Sequence, residues 1–254
     1  MAHELRLLEM GVNDAYFNMG LDEAILESVS KGLELPTLRL YGWKPKAISL
    51  GYFQGARQEL DLDACKRSGV NVVRRITGGG AVLHDKEVTY SLSLPETHPL
   101  ARSSIIESYE VICSALVRGM AFLGLDTQFA PINDILWRGK KVSGNAQTRK
   151  HACILQHGTI LLHVDVEEMF SLLLVPKEKA AGKLIADVKQ RVGSLSEALN
   201  RDVGFEETSK ALIRGFSEAL NIRLISGKPS KEELLRARSL AAEKFSTEAW
   251  IFKR

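Results

Sequence analysis

The sequence predicts an α+β fold with mixed or antiparallel sheets flanked by helices. Short strand patterns and longer helical patterns follow each other without the regular alternation of a doubly wound parallel sheet. The 254 residues, 45% of them hydrophobic, are enough to bury the core of one large domain. Lys and Arg number 34 against 31 Asp and Glu, and the net charge of +3 is too small to indicate nucleic-acid binding. No apolar run approaches the ~20 residues of a membrane span, so neither an export signal nor a membrane segment is expected.

The first half of the chain predicts one helix, a group of strands and a second helix. The first helix covers 18–32, where apolar residues follow helical spacing and Gly32 provides a stop. Four stretches rich in β-branched and aromatic residues then predict an antiparallel sheet. These stretches are 37–43, 47–53, 70–77 and 87–94. The clearest helix is 103–126, with Ser104 and Glu107 as a capping box.

The second half begins with strands and ends with helices. Two short strands are expected in 133–149, around a tight turn at Arg138 and Gly139, and a mostly apolar strand in 152–164, interrupted at His157 and Gly158. Helical patterns follow Asp165, and the last of them opens with Pro229 and Ser230. The highly charged stretch 176–195 predicts either a solvated surface helix or a mobile loop that closes over an anionic ligand.

The three cysteines, Cys65, Cys113 and Cys153, are far apart and include no CxxC pair. The sequence therefore predicts neither a disulfide framework nor a zinc site, and a reducing cytoplasm is the expected location. Cys113 and Cys153 lie in apolar patterns that are typical of buried structure. His151 would share a strand face with Cys153, but a catalytic pair there is the less favoured interpretation.

The stretch "RRITGGGAVLHD" (74–85) predicts a special turn between two strands. Three glycines expose backbone N–H groups, and Arg74 or Arg75 would supply positive charge, a combination that suits phosphate or carboxylate oxygens. The stretch matches neither the Walker loop nor the dinucleotide GxGxxG pattern. The alternative is a hairpin turn whose glycines serve steric needs only.

The stretch "GKKVSGNAQ" (139–147) places two lysines side by side among small residues. Neighbouring residues of a strand point to opposite faces, so only one of Lys140 and Lys141 can face a pocket. If Val142 faces the core, Lys141 and Ser143 lie together on the opposite face of the strand. The alternative is that both lysines are exposed on an edge strand.

The chain resembles one enzyme superfamily over nearly its whole length. The resemblance is carried by these two stretches and, in the matching order, by "FNMGLDEAIL", "LGYFQ", "LQHGTILL" and the terminal "STEAW". The superfamily comprises the lipoate-protein ligases and octanoyltransferases, and the chain is most similar to the catalytic large domain of the lipoate-protein ligase A family. The resemblance implies a catalytic domain of the class II aminoacyl-tRNA synthetase and biotin-ligase type, covering 1–254. A biotin ligase is disfavoured, because the GRGRxG-type loop of that group is replaced by Arg-Ile-Thr-Gly-Gly-Gly.

The resemblance implies an ATP-dependent lipoate-protein ligase that forms lipoyl-AMP and passes the lipoyl group to a lysine of an acceptor domain. ATP, Mg²⁺ and lipoate are the implied cofactor and substrates. Lys141 would contact the reacting carboxylate and phosphate, and stabilise the charge that develops there. Asp134 would be the magnesium ligand. The implied substrate- and nucleotide-binding residues, besides Lys141 and Asp134, are Arg75, Gly78, Gly79, Gly80, Ala81, Val82, His84, Asn133, Gly144, Asn145, Ala146, His157 and Gly158, with Asp85 supporting the loop.

The alternative reaction is the transfer of an octanoyl or lipoyl group between carrier proteins without ATP. The segments "YGWKPKAISLGYFQ", "LHDKEVTYSLSLPETHP" and "SGNAQTR" are similar to the octanoyltransferase branch that uses a cysteine nucleophile. In that branch the nucleophile precedes the strand that leads to the lysine motif, but the corresponding segment here, "LDTQFAPINDILW", contains no cysteine. A binding protein is the third possibility, and it is disfavoured because Lys141 and the glycine triplet are intact.

The implied partner is an acceptor lipoyl domain or a glycine-cleavage H-like protein. Many ligases of this family carry a further C-terminal domain that promotes adenylation, and the chain ends where the large domain would end. There are three alternatives for the adenylation step. A separate small accessory protein replaces the extra domain, the enzyme only transfers from a ready-made adenylate, or it is active without the extra domain. No nucleic-acid or membrane partner is expected, and the default oligomeric state is a monomer.

Overall fold

The computed structural model describes residues 3–102, 104–174 and 178–254, and the side chains of all of these except 178–184. The strands are β1 (His3–Asn13), β2 (Thr37–Trp43), β3 (Ala47–Leu50), β4 (Asn71–Arg74), β5 (Val82–His84), β6 (Glu87–Pro95), β7 (Gln128–Ala130), β8 (Asp134–Trp137), β9 (Lys140–Lys150), β10 (Cys153–Leu161) and β11 (Ile222–Ser226). The α-helices are α1 (Ala15–Ser30), α2 (Ala56–Glu59), α3 (Leu62–Arg67), α4 (Ile105–Phe122), α5 (Val166–Ser171), α6 (Glu178–Arg191), α7 (Leu195–Leu199), α8 (Phe205–Ala219), α9 (Lys231–Leu240) and α10 (Glu248–Ile251). A π-helical segment, Ala241–Phe245, continues α9.

The strands form an eight-stranded mixed sheet and a small three-stranded sheet in the described part of the chain. The order in the large sheet is β11-β1-β2-β6-β10-β9-β8-β7, and that in the small sheet is β4-β3-β5. β1 pairs in parallel with both β11 and β2, whereas β6, β10, β9 and β8 are joined by antiparallel pairing. The predicted α+β fold with mixed sheets is confirmed.

Helices cover both faces of the large sheet and bury two apolar clusters. α4 and α8 pack on one face, where Ile112, Leu116 and Phe216 belong to the same cluster as residues of β6 and β10. α1 and α9 lie together on the opposite face, over residues such as Tyr41 and Leu155. None of the helices in the described ranges has the length and apolar character that a membrane span needs.

The prediction that the first four strands form one antiparallel sheet is wrong. β2 and β6 belong to the large sheet, whereas β3 and β4 belong to the small sheet and are parallel. The pattern of apolar residues in a strand indicates which side chains are buried, but it does not indicate which strands pair with each other. The glycine-rich stretch is also not a hairpin turn, because the strands that it joins, β4 and β5, lie on opposite sides of β3.

Two helices begin at the caps that the sequence predicted. Ser104 accepts a hydrogen bond from the Glu107 amide at the start of α4, whereas α1 begins at Ala15, three residues before the predicted start, with Asp14 as its cap. Ser230 and Glu233 form a complete capping box on α9. The predicted interruption of the 152–164 strand is wrong, since β10 is continuous through His157 and Gly158. Ser103, Pro176 and Lys177 lie outside the described residues, and the rest of the charged stretch contains α6, as a surface-helix interpretation requires.

Candidate active site

The predicted motifs meet around one cavity of about 190 Å³ between the glycine-rich loop and the large sheet. Most of the predicted site residues line it. They are Arg75, Gly79, Gly80, Ala81, Val82, His84, Asn133, Lys141, Gly144, Asn145, Ala146, His157 and Gly158. Met19, Tyr41, Trp43, Ser49, Thr89 and Thr159 complete the lining. Of the predicted residues, Gly78 and Asp134 are outside the lining.

Arg75 holds the glycine-rich loop in shape. Its Nη2 donates to the carbonyl oxygens of Gly78 and Gly80 at 2.7 and 2.8 Å, and its Nε donates to Thr77 Oγ1 at 3.2 Å. Its Nη1 donates to the carbonyl oxygen and the hydroxyl of Ser49 at 2.9 and 3.0 Å. The expectation that these donors face a ligand phosphate does not hold, because each guanidinium nitrogen already has a protein acceptor. Burial lowers the pKa of Arg75 to about 10, so a cation remains in the pocket wall at neutral pH.

Two glycines allow the loop to lie against the end of β3. A Cβ atom on Gly51 would stand 1.9 Å from the carbonyl oxygen of Gly79, which excludes any side chain there. Gly79 itself has φ +97°, a conformation that favours glycine. The Tyr52 amide donates to the carbonyl oxygen of Thr77 at 2.8 Å. The segment after β3 therefore forms the outer wall of the pocket loop.

The two adjacent lysines of β9 point in different directions, as predicted. Lys140 Nζ pairs with Glu197 of α7 at 2.6 Å, whereas Lys141 lines the pocket and pairs with Asp134 at 2.7 Å. The Lys141 side chain lies over Gly144, where an added Cβ would be 2.7 Å from Nζ. Gly144 thus leaves the space that the Lys141 ammonium occupies.

A set of amide hydrogen bonds positions the strand backbone beside Lys141. Asn145 Nδ2 donates to the carbonyl oxygen of Asn133 at 2.9 Å, and Asn133 Nδ2 donates to that of Asn145. The Tyr90 hydroxyl donates to Asn145 Oδ1 at 2.7 Å. A Cβ on Gly158 would be 2.1 Å from the same Oδ1, so glycine is required opposite this amide.

His84 stands in a chain that links a carboxylate to a hydroxyl in the pocket. Its Nδ1 is 2.7 Å from Glu87 Oε1, and its Nε2 is 2.7 Å from Ser49 Oγ. The ring stacks on Trp43 with centroids 3.9 Å apart. All four side chains are buried. Asp85, the predicted support of the loop, pairs instead with Lys46 at 3.2 Å.

His157 stands in a second chain of the same kind. Its Nε2 is 2.7 Å from Thr77 Oγ1, and its Nδ1 is 3.2 Å from Asp22 Oδ2. Arg75 also donates to the hydroxyls of both chains. An ionised carboxylate only accepts hydrogen bonds, so in each chain the ring nitrogen that faces it, Nδ1, carries a proton.

Asp22, which sequence reasoning did not single out, is the centre of a buried polar network. Its Oδ1 pairs with Arg39 at 2.7 Å and accepts from Ser91 at 2.8 Å. Its Oδ2 accepts from the Tyr41 hydroxyl at 2.8 Å and from His157. Burial alone would raise the pKa of Asp22, but Arg39, His157 and Ser91 together lower it. Asp22 is thus an anion within the core.

A signal for Asp22 was present in the sequence. It lies three residues after Met19 and three before Ile25, on the apolar face of the predicted first helix. A carboxylate on a buried helix face needs a partner, which indicates a functional or structural network.

The buried His157 predicts a pH dependence of stability. Burial lowers the pKa of His157, and Asp22 offsets this only in part. The folded protein therefore binds this proton less tightly than the unfolded chain, and stability is lost as the pH falls below the unfolded pKa of about 6.5. We expect the free energy of unfolding to fall more between about pH 7.5 and pH 5.5 in the wild type than in His157→Gln. Urea titrations at both pH values measure this difference. The exposed His151→Gln is the control and should behave as the wild type, and equal slopes in all three proteins would contradict the prediction.

The three cysteines are removed from the pocket. Cys65, Cys113 and Cys153 are each at most 1% exposed, and none lines the cavity. Burial raises the pKa of all three thiols, that of Cys113 to about 12. A thiol in such surroundings is a poor nucleophile. The catalytic pairing of Cys153 with His151 thus finds no support in the geometry.

The predicted magnesium ligand, Asp134, is a single carboxylate and not part of a preformed cluster of metal ligands in the described ranges. Among the described residues, no group of three or more His, Cys, Asp or Glu side chains could hold a metal ion. Asp134 offers a single carboxylate whose charge is balanced by Lys141.

Known proteins resemble this chain over its full length. Residues 14–217 match the lipoyl protein ligase A/B catalytic domain. Octanoyltransferase LipM of Anoxybacillus flavithermus is 38% identical, over 98% of both chains, and that of Geobacillus kaustophilus is 39% identical, over the whole of both. A solved structure, from an archaeal lipoylation system described as a bi-partite lipoate protein ligase and its E2 lipoyl domain from Thermoplasma acidophilum, has a TM-score of 0.88. It is 34% identical and covers 99% of this chain and 96% of its own.

These relatives correct the predicted reaction. The prediction of an ATP-dependent lipoate-protein ligase is wrong, because the curated relatives matched over their full length are octanoyltransferases. They favour the alternative, transfer between carriers without ATP. The predicted superfamily and the lipoate-ligase type of fold are confirmed.

Proposed function

Since the chain belongs to the lipoyl protein ligase A/B catalytic domain family, we propose that it is an acyltransferase that moves an octanoyl or lipoyl group from a carrier-protein thioester to a lysine of an acceptor lipoyl domain. The proposed reaction uses neither ATP nor magnesium. The observation that carries the proposal is the pocket itself, where Met19, Trp43 and Val82 offer apolar surface and Lys141 stands beside them. An acyl chain needs the apolar surface, and a reacting carbonyl needs the positive charge of the lysine.

In the proposed reaction the Lys141 ammonium lies beside the thioester carbonyl. The neutral amine of the acceptor lysine attacks the carbonyl carbon, and negative charge develops on the carbonyl oxygen. Lys141 stabilises that charge, with the buried Arg75 cation adding to the positive potential of the wall. The C–S bond then breaks, an amide is left on the acceptor, and the proton lost by the amine neutralises the departing thiolate. Asp134 orients Lys141 through their ion pair.

The acyl group passes directly from donor to acceptor in this proposal, without an enzyme thioester. The inaccessible cysteines support this route. We therefore expect the Cys65→Ser, Cys113→Ser, Cys153→Ser triple variant to keep its turnover within about threefold of the wild type. Transfer is measured after circular dichroism has shown that the variant is folded. An inactive folded variant would indicate a cysteine nucleophile, and three single Cys→Ser variants would identify it.

The proposed acceptor is a small lipoyl domain or a glycine-cleavage H-like protein. The Thermoplasma acidophilum relative is a bi-partite lipoate protein ligase paired with an E2 lipoyl domain, which supports an acceptor of this class. A single catalytic domain over 1–254, a separate accessory protein and a cytoplasmic location stay predictions.

The experiment that tests the function is mass spectrometry of an apo lipoyl domain incubated with this protein and an octanoyl-carrier thioester. We expect an octanoyl mass gain without ATP, on the domain's target lysine. A domain that stays unmodified with both octanoyl- and lipoyl-carrier thioesters would overturn the proposal.

A further inference from the structure

An exposed cluster of aromatic and cationic side chains lies beside the pocket loop and has no role in the proposed chemistry. We call it the aromatic–basic patch. Its members come from the segment after β3, the end of β9 and the C-terminal segment. They are the half-buried Tyr52 and the exposed Phe53, Arg57, Lys150, Lys253 and Arg254. Phe53 is 72% exposed, which is unusual for a phenylalanine.

The cations of the patch are arranged around its aromatic rings. The Arg254 guanidinium lies 5.6 Å from the centre of the Phe53 ring, and Lys253 Nζ donates to the Tyr52 hydroxyl at 2.7 Å. Arg57 lies over Phe252 at 4.7 Å. An exposed aromatic residue with charged neighbours is the composition of a protein-binding hot spot.

The charge of the patch is not neutralised locally. The hydrogen bond from Lys253, with the charges of Lys253, Lys150 and Arg254, lowers the pKa of the Tyr52 hydroxyl. Within the described ranges, Arg57, Lys150, Lys253 and Arg254 make no ion pair with a carboxylate. Four exposed cations without carboxylate partners favour an acidic partner surface.

A single buried arginine, Arg74, bonds to both the segment after β3 and the C-terminal segment of the patch. Arg74 Nη1 donates to the carbonyl oxygens of Gly51, Tyr52 and Gln54, at 2.7 to 3.1 Å. Its Nη2 donates to the carbonyl oxygen of Ile251 at 2.6 Å, and its Nε to that of Trp250 at 3.0 Å. The backbone under Phe53 and that leading to Arg254 are therefore held in one arrangement before any partner arrives, which lowers the entropic cost of binding.

The patch is continuous with the pocket wall. Arg74 is followed directly by Arg75, which shapes the glycine loop of the pocket. Gly51 stands against the carbonyl oxygen of Gly79, a pocket residue. A protein bound to the patch is thus adjacent to the loop that borders the cavity.

We propose that the aromatic–basic patch is the docking surface for the acceptor lipoyl domain, through an acidic face of that domain. The proposal rests on the proposed function for the partner's identity, but the surface is a separate claim. Phe53 is the apolar anchor, and the cations around it select an acidic face and orient the domain so that its target lysine points to the cavity.

The test uses Phe53→Ser and Arg254→Glu in the full chain, each with the apo lipoyl domain. We expect each substitution to raise the KM for the domain about tenfold or more while kcat stays within about twofold. Calorimetric titration of the domain, without donor, should show the same loss of affinity. Matched controls are Leu235→Ser, at an apolar residue of α9 that is 66% exposed, and Lys228→Glu on the loop before it. Both should bind the domain as the wild type does.

The outcomes separate the surface from the chemistry. Weaker binding in the patch variants, in a protein that shows no transfer, would support the docking surface and contradict the proposed function. Unchanged KM and affinity in both patch variants would overturn the docking surface whatever the chemistry. A raised KM for the donor carrier, with the acceptor unaffected, would also overturn it and assign the patch to the donor.

Discussion

Lys141→Ala is expected to lower kcat for acyl transfer by about 100- to 1,000-fold, the usual cost of removing one group that stabilises a developing oxyanion. The Lys141 ammonium lines the cavity and is held by Asp134 at 2.7 Å. Both side chains are about one-third exposed, so loss of the pair should change the free energy of unfolding by less than about 1 kcal/mol. Single-turnover kinetics with a saturating thioester donor measure the effect on chemistry alone.

The neighbouring lysine provides the control. Lys140 pairs with Glu197 outside the cavity, and Lys140→Ala should retain turnover within about twofold of the wild type. Equal losses of kcat in the two variants would show that both substitutions act by disturbing β9 and not by removing a group that contacts the substrate. Full turnover in a folded Lys141→Ala protein would remove Lys141 from the reaction.

Arg39→Ala is expected to destabilise the protein by about 3 to 5 kcal/mol, because it leaves the Asp22 carboxylate buried without its cation. Arg39 is fully buried, pairs with Asp22 at 2.7 Å and donates to Asn18 Oδ1 at 2.5 Å. The chain has no other described cation on Asp22 unless His157 becomes protonated. Equilibrium urea unfolding measures the loss, and a variant too unstable to purify folded is consistent with it.

The matched control for Arg39 is an exposed ion pair of the same kind. Arg236, at the surface of α9, pairs with Glu27 at 2.8 Å. Arg236→Ala should lower the free energy of unfolding by less than about 1 kcal/mol. If Arg39→Ala lowers the free energy of unfolding no more than Arg236→Ala does, the buried network around Asp22 contributes little to stability.

Local patterns identified the strands and loops that carry several residues of the cavity. Gly79 and Gly80 of the glycine triplet, Lys141 and His157 each lie in such a strand or loop, and the structure gathers them around one cavity. β1 was missed because its buried residues, Leu5 to Leu8, form a continuous run rather than an alternation. A strand that pairs in parallel on both sides and is covered on both faces gives that pattern.

The roles of Arg74 and Asp22 depend on long-range contacts that no local pattern reveals. Arg74 bonds to Trp250 and Ile251, about 176 positions away along the chain, and Asp22 meets His157 at a separation of 135. The sequence suggested that Arg74 or Arg75 binds an anion. The structure instead uses Arg75 to shape the pocket and Arg74 to join the C-terminal segment to the pocket's outer wall.

The source of the acyl group distinguishes transfer between carriers from ATP-dependent ligation. One reaction would contain the protein, an apo lipoyl domain, an isotope-labelled octanoyl-carrier thioester, and unlabelled octanoate and lipoate with ATP and magnesium. Intact-mass spectrometry of the domain then reports which pool supplied the acyl group. We predict labelled octanoyl only, at a rate that does not change when ATP is omitted. Unlabelled octanoyl or lipoyl on the domain, dependent on ATP, would contradict the proposed transfer between carriers.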